Sequence, residues 1–83
     1  MRLRKDLLWE QLDDEVIVLD LEKSMYLKVD GSGALLWTVL KDSAERAELI
    51  SALVEAYEID EARAASDVDD FTESLRAAGL LEA

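Results

Sequence analysis

Carboxylates are the side chains of this sequence that could do chemistry. The 83 residues include 20 Asp and Glu but no Cys and no His. The absence of Cys and His excludes thiolate nucleophiles, Ser-His and Cys-His catalytic arrangements, zinc fingers and disulfides. Clustered carboxylates can bind Ca²⁺ or Mg²⁺, and paired ones can hydrolyse glycosides. The chain has two such clusters, residues 13–15 and the group Asp67, Asp69 and Asp70.

Neither cluster has the arrangement that those activities require. A calcium-binding hand needs a longer loop with a central glycine, and a glycosidase needs a substrate cleft for which a chain this short leaves little room. The turn Gly31-Ser32-Gly33 lacks the later Gly, Lys and Ser/Thr of phosphate-binding loops. We therefore expect solvated carboxylates and a simple turn, with no metal, no cofactor and no enzyme activity.

The overall composition indicates a small, acidic, folded domain. The net charge is −11 and 51% of the residues are hydrophobic, which is too apolar for a disordered tail and too acidic for binding a phosphate backbone. Such a surface favours basic peptides or proteins as partners. We expect a single domain over residues 1–83 that binds no nucleic acid.

The sequence lacks the signals of a membrane or secreted protein. No apolar run approaches the roughly 20 residues of a membrane span. The basic start is interrupted by Asp6 and Glu10 before a signal-peptide core could form. The expectation is a cytoplasmic protein without membrane contact.

Three strands are predicted before residue 30. The segments LLWEQL, EVIVLDL and MYLKV alternate or run in short apolar blocks and are rich in β-branched and aromatic residues. Asp13-Asp14 and residues 22–24 fall where tight connections are needed. The strands should therefore form a three-stranded antiparallel meander.

Three helices are predicted after residue 30, because the apolar spacing becomes helical. The three stripes are Leu35, Leu36, Val39 and Leu40; Leu49, Ile50, Leu53, Val54 and Tyr57; and Ala64, Val68, Phe71 and Leu75. Ser43 and Asp60 are predicted N-caps, and Gly79 is a predicted C′ glycine. The fold class is thus α+β, resembling a winged helix-turn-helix. The last predicted helix carries several acids and little basic charge, which argues against DNA recognition.

Short patterns in a fixed order cover most of the chain. They are Leu19-Asp20, Tyr26, Val29-Asp30, Gly33-Ala34, Trp37, the spacing from Tyr57 to Asp60, Asp67-Val68 and the closing Gly79 to Leu81. Together, over about residues 13–82, they resemble the PqqD-like family, also called RiPP recognition elements. Val29 and Asp30 differ from the Leu and Asn that are usual in that family.

The resemblance implies a non-catalytic module that binds the leader of a ribosomally made precursor peptide and delivers it to modifying enzymes. The short form with Arg2 and Arg4 at its start is most similar to the leader-binding proteins of split lasso-peptide pathways. That similarity implies a separate leader peptidase and cyclase as partners. A chaperone for the pyrroloquinoline quinone precursor peptide is a close alternative. A winged-helix interaction or regulatory domain, dimerising through a strand edge, is the alternative from another class.

The third predicted strand lies at an edge of the meander, so its outer N–H and C=O groups would be unpaired. It has no Pro and only one charge, so an extended peptide could add to it as a further strand. We expect a groove between this strand and the last helix, whose apolar stripe would partly seal the core and partly receive peptide side chains. The predicted peptide-binding residues are Met25, Tyr26, Leu27, Lys28 and Val29 on the strand, and Val68, Asp69, Phe71, Thr72, Leu75 and Arg76 on the helix. Packing at the core edge is the alternative role for Tyr26.

Overall fold

A three-stranded antiparallel sheet followed by three helices forms the body of the protein in a computed structural model, which describes residues 1–82. The elements are β1 (Arg2–Leu3), β2 (Leu7–Leu12), β3 (Glu15–Asp20), β4 (Met25–Asp30), α1 (Ser32–Leu40), α2 (Arg46–Tyr57), α3 (Glu61–Ala77) and β5 (Leu81–Glu82). The sheet order is β2-β3-β4, and β1 pairs separately with β5. The predicted α+β architecture is confirmed, whereas the β1–β5 ribbon was not predicted.

The sheet uses its two faces differently, as the period-two alternation requires. Val16 and Val18 of β3 are fully buried against the helices. They pair across the ladder with Val29 and Leu27 of β4. The inner face of β4 is therefore continuous with the core.

The core is centred on α1, whose large side chains lie between the sheet and the other helices. Its most completely buried members are Trp37, Leu36, Leu40, Leu49, Leu53, Val16, Val18 and Val68. Trp37 packs edge-to-face against Trp9 of β2, with ring centroids 6.1 Å apart. These contacts fix the sheet against the helices, and the strand order places β4 at an edge of the sheet.

The helix ends agree with the predictions at two of three positions. Asp60 caps α3 by accepting a hydrogen bond from the Arg63 backbone N–H at 2.7 Å. The predicted Ser43 cap is wrong: Glu45 is the N-cap of α2 and forms a capping box with Glu48. Ser43 has a φ of 78° and donates its hydroxyl to the Met1 carbonyl instead.

Gly79 ends α3 as predicted and turns the chain with a φ of 73°. Its N–H donates to the Arg76 carbonyl, and the Leu80 N–H donates to the Leu75 carbonyl. This pair of bonds is a Schellman motif, in which the residue after the glycine packs back on the helix. Leu80 is accordingly buried, and the chain continues into β5.

None of the helices within residues 1–82 combines the length and apolar character needed to cross a membrane.

Candidate functional site

Strand β4 is an open edge of the sheet. One side pairs with β3 from Asp20↔Met25 to Glu15↔Asp30, and no strand among residues 1–82 pairs with the other side. Met25 and Tyr26 are 61% and 73% exposed, and Leu27 is 39% exposed. An edge of this kind presents alternating N–H and C=O groups that another chain can pair with.

Helix α3 approaches the C-terminal end of β4 next to Gly33, which lies in the first turn of α1. A Cβ at Gly33 would stand 2.8 Å from Val29 Cγ1 and 3.2 Å from Phe71 Cε1. Val29 and Phe71 therefore both pack against this glycine, and both are half-buried beside the core. This contact brings Phe71 of α3 next to the end of β4.

An apolar pocket of about 70 Å³ lies at the other end of β4. We call it the β4 pocket; it is lined by Val18, Asp20, Lys23, Met25, Tyr26, Leu27, Ala78 and Leu80. One wall is thus the sheet, and the other is the segment that leaves α3 through the Gly79 turn. A pocket with these walls suits one apolar side chain of a bound peptide, whose burial is worth about 2 kcal/mol.

A network centred on Arg4 borders the β4 pocket. The Arg4 guanidinium donates to both oxygens of Asp20 at 3.0 and 3.1 Å, to Asp6 at 3.0 Å, to Glu22 at 3.3 Å and to the Gly79 carbonyl at 2.9 Å. Hydrogen bonds from Arg4 lower the pKa of Asp20 and that of Asp6, and both bonds raise the pKa of Arg4. We call Arg4 and these four partners the Arg4 network. The shifts favour the ionised forms of Arg4, Asp6 and Asp20.

The predicted α3 residues divide between core and surface. Val68, Thr72 and Leu75 are at most 6% exposed and seal the core, whereas Phe71 is half-buried beside Gly33. Which of these side chains touch a bound peptide stays a prediction.

The charged residues of the predicted site are engaged with neighbours. Asp69 accepts two hydrogen bonds from Arg46 of α2, at 2.8 and 2.9 Å, and these lower the pKa of Asp69. Arg76 donates to Glu73 at 2.9 Å. On β4, Lys28 contacts Glu15 at 2.9 Å, and this bond raises the pKa of Lys28. These pairs neutralise the basic residues of the predicted site, and the chain as a whole keeps a net charge of −11.

Sequence reasoning missed the far wall of the β4 pocket and its polar margin. Ala78 and Leu80 follow the helical stripe, so they were not included in the groove. Leu80 did carry a signal, because the hydrophobic residue after a C′ glycine commonly packs back onto its helix. Arg4 carried none, because its partner Asp20 lies 16 residues away in the sequence.

Among residues 1–82, no three or more acidic side chains are grouped so that they could hold a metal ion.

Two solved structures are similar to this one. The structure of TbiB1 in complex with the TbiA(β) leader peptide has a TM-score of 0.92 and 28% sequence identity, covering 99% of this chain and 95% of that chain. The structure of lasso peptide synthetase B1 complexed with the leader peptide has a TM-score of 0.82 and 26% sequence identity, covering 95% of this chain and 93% of that chain. No curated protein matches the chain. The family profile of coenzyme PQQ synthesis protein D (PqqD) matches residues 15–81. The chain therefore belongs to the PqqD family, which confirms the resemblance found in its sequence.

Proposed function

We propose that this protein is a peptide-binding module that captures the leader of a ribosomally made precursor peptide, of the lasso class, by adding it as a strand to β4. The observation that carries the proposal is the open β4 edge beside an apolar pocket. The two similar structures, each a complex with a leader peptide, support it. The module itself is non-catalytic.

The energetics of strand addition are sufficient for binding. Four or five backbone hydrogen bonds contribute about 1 kcal/mol each, and two buried side chains about 2 kcal/mol each, or roughly 8 to 9 kcal/mol in all. Ordering a flexible leader costs several kcal/mol of that sum. Tight binding therefore depends on how well the β4 pocket fits and on charge attraction.

Charge brings the leader to the site. The protein carries a net charge of −11, and the Lys28 ammonium on β4 is compensated by Glu15. A leader with Lys or Arg residues is therefore steered toward this surface, an effect that acts mainly on the association rate.

The leader peptidase and the cyclase of the same pathway are the proposed later partners. The outer face of the sheet presents Leu8, Leu12 and Leu19 at 55%, 48% and 42% exposure. The solvent face of an antiparallel sheet is usually polar, so exposed leucines there favour contact with another protein. A leader bound along the β4 edge leaves this face free for the next enzyme.

Titration of ¹⁵N-labelled protein with synthetic leader peptides tests the proposal. The probes are the TbiA(β) leader and the leader peptide of the lasso peptide synthetase B1 complex. Amide shifts concentrated on residues 25–29 and 78–80 are expected. Saturation by neither leader, or a concentration-dependent dimer through β4 in sedimentation experiments, would instead support an interaction domain of another kind.

A further inference from the structure

Arg4 connects three separate segments of the chain beside the β4 pocket. Its side chain is 17% exposed and that of Asp20 is 6% exposed, so the ion pair is largely buried. Besides the bonds to Asp20 and the Gly79 carbonyl, the Arg4 backbone N–H donates to the Leu80 carbonyl at 2.9 Å. The residue that follows β1 thus binds the end of β3 and the segment after α3 at once.

These partners belong to the two walls of the β4 pocket. Asp20 lines the pocket and pairs with Met25 of β4. Gly79 lies between Ala78 and Leu80, which form the opposite wall. The Lys23 ammonium adds a second connection by donating to the Ala78 carbonyl at 2.9 Å, while the Lys23 backbone N–H donates to Asp20. The distance between the walls is therefore fixed by hydrogen bonds rather than by apolar contact alone.

The chemistry of arginine suits this role. A planar guanidinium presents its donors in a fixed geometry, so bonding a carboxylate and a carbonyl together sets their separation. A lysine carries the same charge as a single point and fixes no such geometry. A buried ion pair adds little net stability compared with apolar residues of the same volume. The Arg4 network therefore contributes mainly by fixing the geometry of the pocket walls.

We propose that Arg4 is a positioning residue for peptide recognition: it holds the strand wall and the helix wall of the β4 pocket at the separation that admits one apolar leader side chain. This inference rests on the proposed function of leader binding. It predicts that leader selectivity at one position depends on a residue that the leader does not touch.

Three variants test the role of Arg4. In Arg4→Gln/Asp20→Asn both charges are removed together, so no buried charge is left unpaired and the net charge stays −11. Arg4→Lys keeps the charge without the planar geometry. Arg2→Gln is the control, since Arg2 lies two residues before Arg4 in β1. Within residues 1–82 its ion-pair partner is Glu82 at 3.1 Å, and neither residue lines the pocket. Folding of each variant is checked by circular dichroism at the binding temperature.

Leader affinity is the first measurement. With the leader that binds the unaltered protein, Arg4→Gln/Asp20→Asn should raise Kd at least about tenfold, or about 1.4 kcal/mol. The Kd of Arg4→Lys should fall between those of the unaltered protein and the double variant. The Kd of Arg2→Gln should stay within about twofold of the unaltered value. The tenfold loss should shrink when the leader side chain that enters the pocket is cut to Ala. A double variant that is folded and binds as well as Arg2→Gln, or that weakens both leaders equally, overturns the proposal.

The free protein gives an independent measurement of the same geometry. Amide shifts and hydrogen exchange in Arg4→Gln/Asp20→Asn should change at Met25, Leu27 and Leu80 more than in α2. Unchanged values at these positions would refute the positioning role even if leaders bind. If these values change but the unaltered protein binds neither leader, the role of Arg4 in fixing the pocket walls is supported. The proposed leader-binding function is then wrong.

Discussion

Filling the β4 pocket with a side chain of the protein itself should weaken leader binding without harming the fold. Ala78 is exposed, lines the pocket and has a φ of −80° and a ψ of −5°, a conformation that leucine adopts without strain. In Ala78→Leu the new side chain occupies much of a space of about 70 Å³. The bond from Lys23 to the residue 78 carbonyl is retained, because it involves only the backbone of that residue.

The magnitude follows from the one leader side chain that is excluded. Losing its burial costs about 2 kcal/mol, which corresponds to a roughly 30-fold higher Kd. Isothermal titration with the leader peptide gives Kd, and a thermal melt verifies that stability is retained.

Ala77→Leu is the matched control for this experiment. The neighbouring residue is also exposed, ends α3 and does not line the β4 pocket. The Ala77→Leu variant should bind the leader with the same Kd as the unaltered protein. Equal Kd values for Ala78→Leu and Ala77→Leu would show that the leader does not use the pocket, and the reasoning from its walls would be wrong.

Three further predictions concern packing, pH and salt. Gly33→Ala should destabilise the protein by about 1 kcal/mol in urea unfolding. A Cβ at this position would lie 2.8 Å from Val29 and 3.2 Å from Phe71, and displacing both side chains costs more than the gain in helix propensity. Unchanged stability would contradict the close packing at Gly33. Because Arg4 lowers the pKa of Asp20 below its ordinary 3.8, the stability from this pair is present above that value and is lost as pH falls through the folded-state pKa. Urea midpoints measured from pH 6 to pH 2 should thus fall less steeply in Arg4→Gln/Asp20→Asn, and parallel curves would exclude the pair as a source of acid sensitivity. Stopped-flow association with a basic leader should slow between low and physiological salt, whereas a constant rate would remove electrostatic steering.

The sheet and helices could be predicted because their signals are local. Period-two alternation along β3 and helical spacing along α3 each reflect one buried face, so the sequence alone identifies both elements. The two-residue strands β1 and β5 have no period to detect, and they exist because distant parts of the chain meet. Ser43 shows the same limit at a helix end. Its residue type favours a cap, but its hydroxyl bonds the distant Met1 carbonyl, and Glu45 caps the helix through its capping box with Glu48.

The candidate site could be predicted in part for the same reason. The β4 edge follows from strand order in a meander, and the sealing of the core by Val68 and Leu75 follows from the helical stripe. The β4 pocket needs the return of the chain after Gly79 and the position of Arg4 beside Asp20. Both are tertiary contacts that no local spacing encodes.

An N-methyl scan of the leader peptide tests strand addition to β4 most directly. In an added antiparallel or parallel strand, alternate leader N–H groups donate to the protein edge and the others face solvent. Methylating each leader amide in turn should therefore raise Kd several-fold at every second position of the bound segment and leave the intervening positions nearly unchanged. Loss at consecutive positions, or at none, would contradict the pairing of the leader with β4.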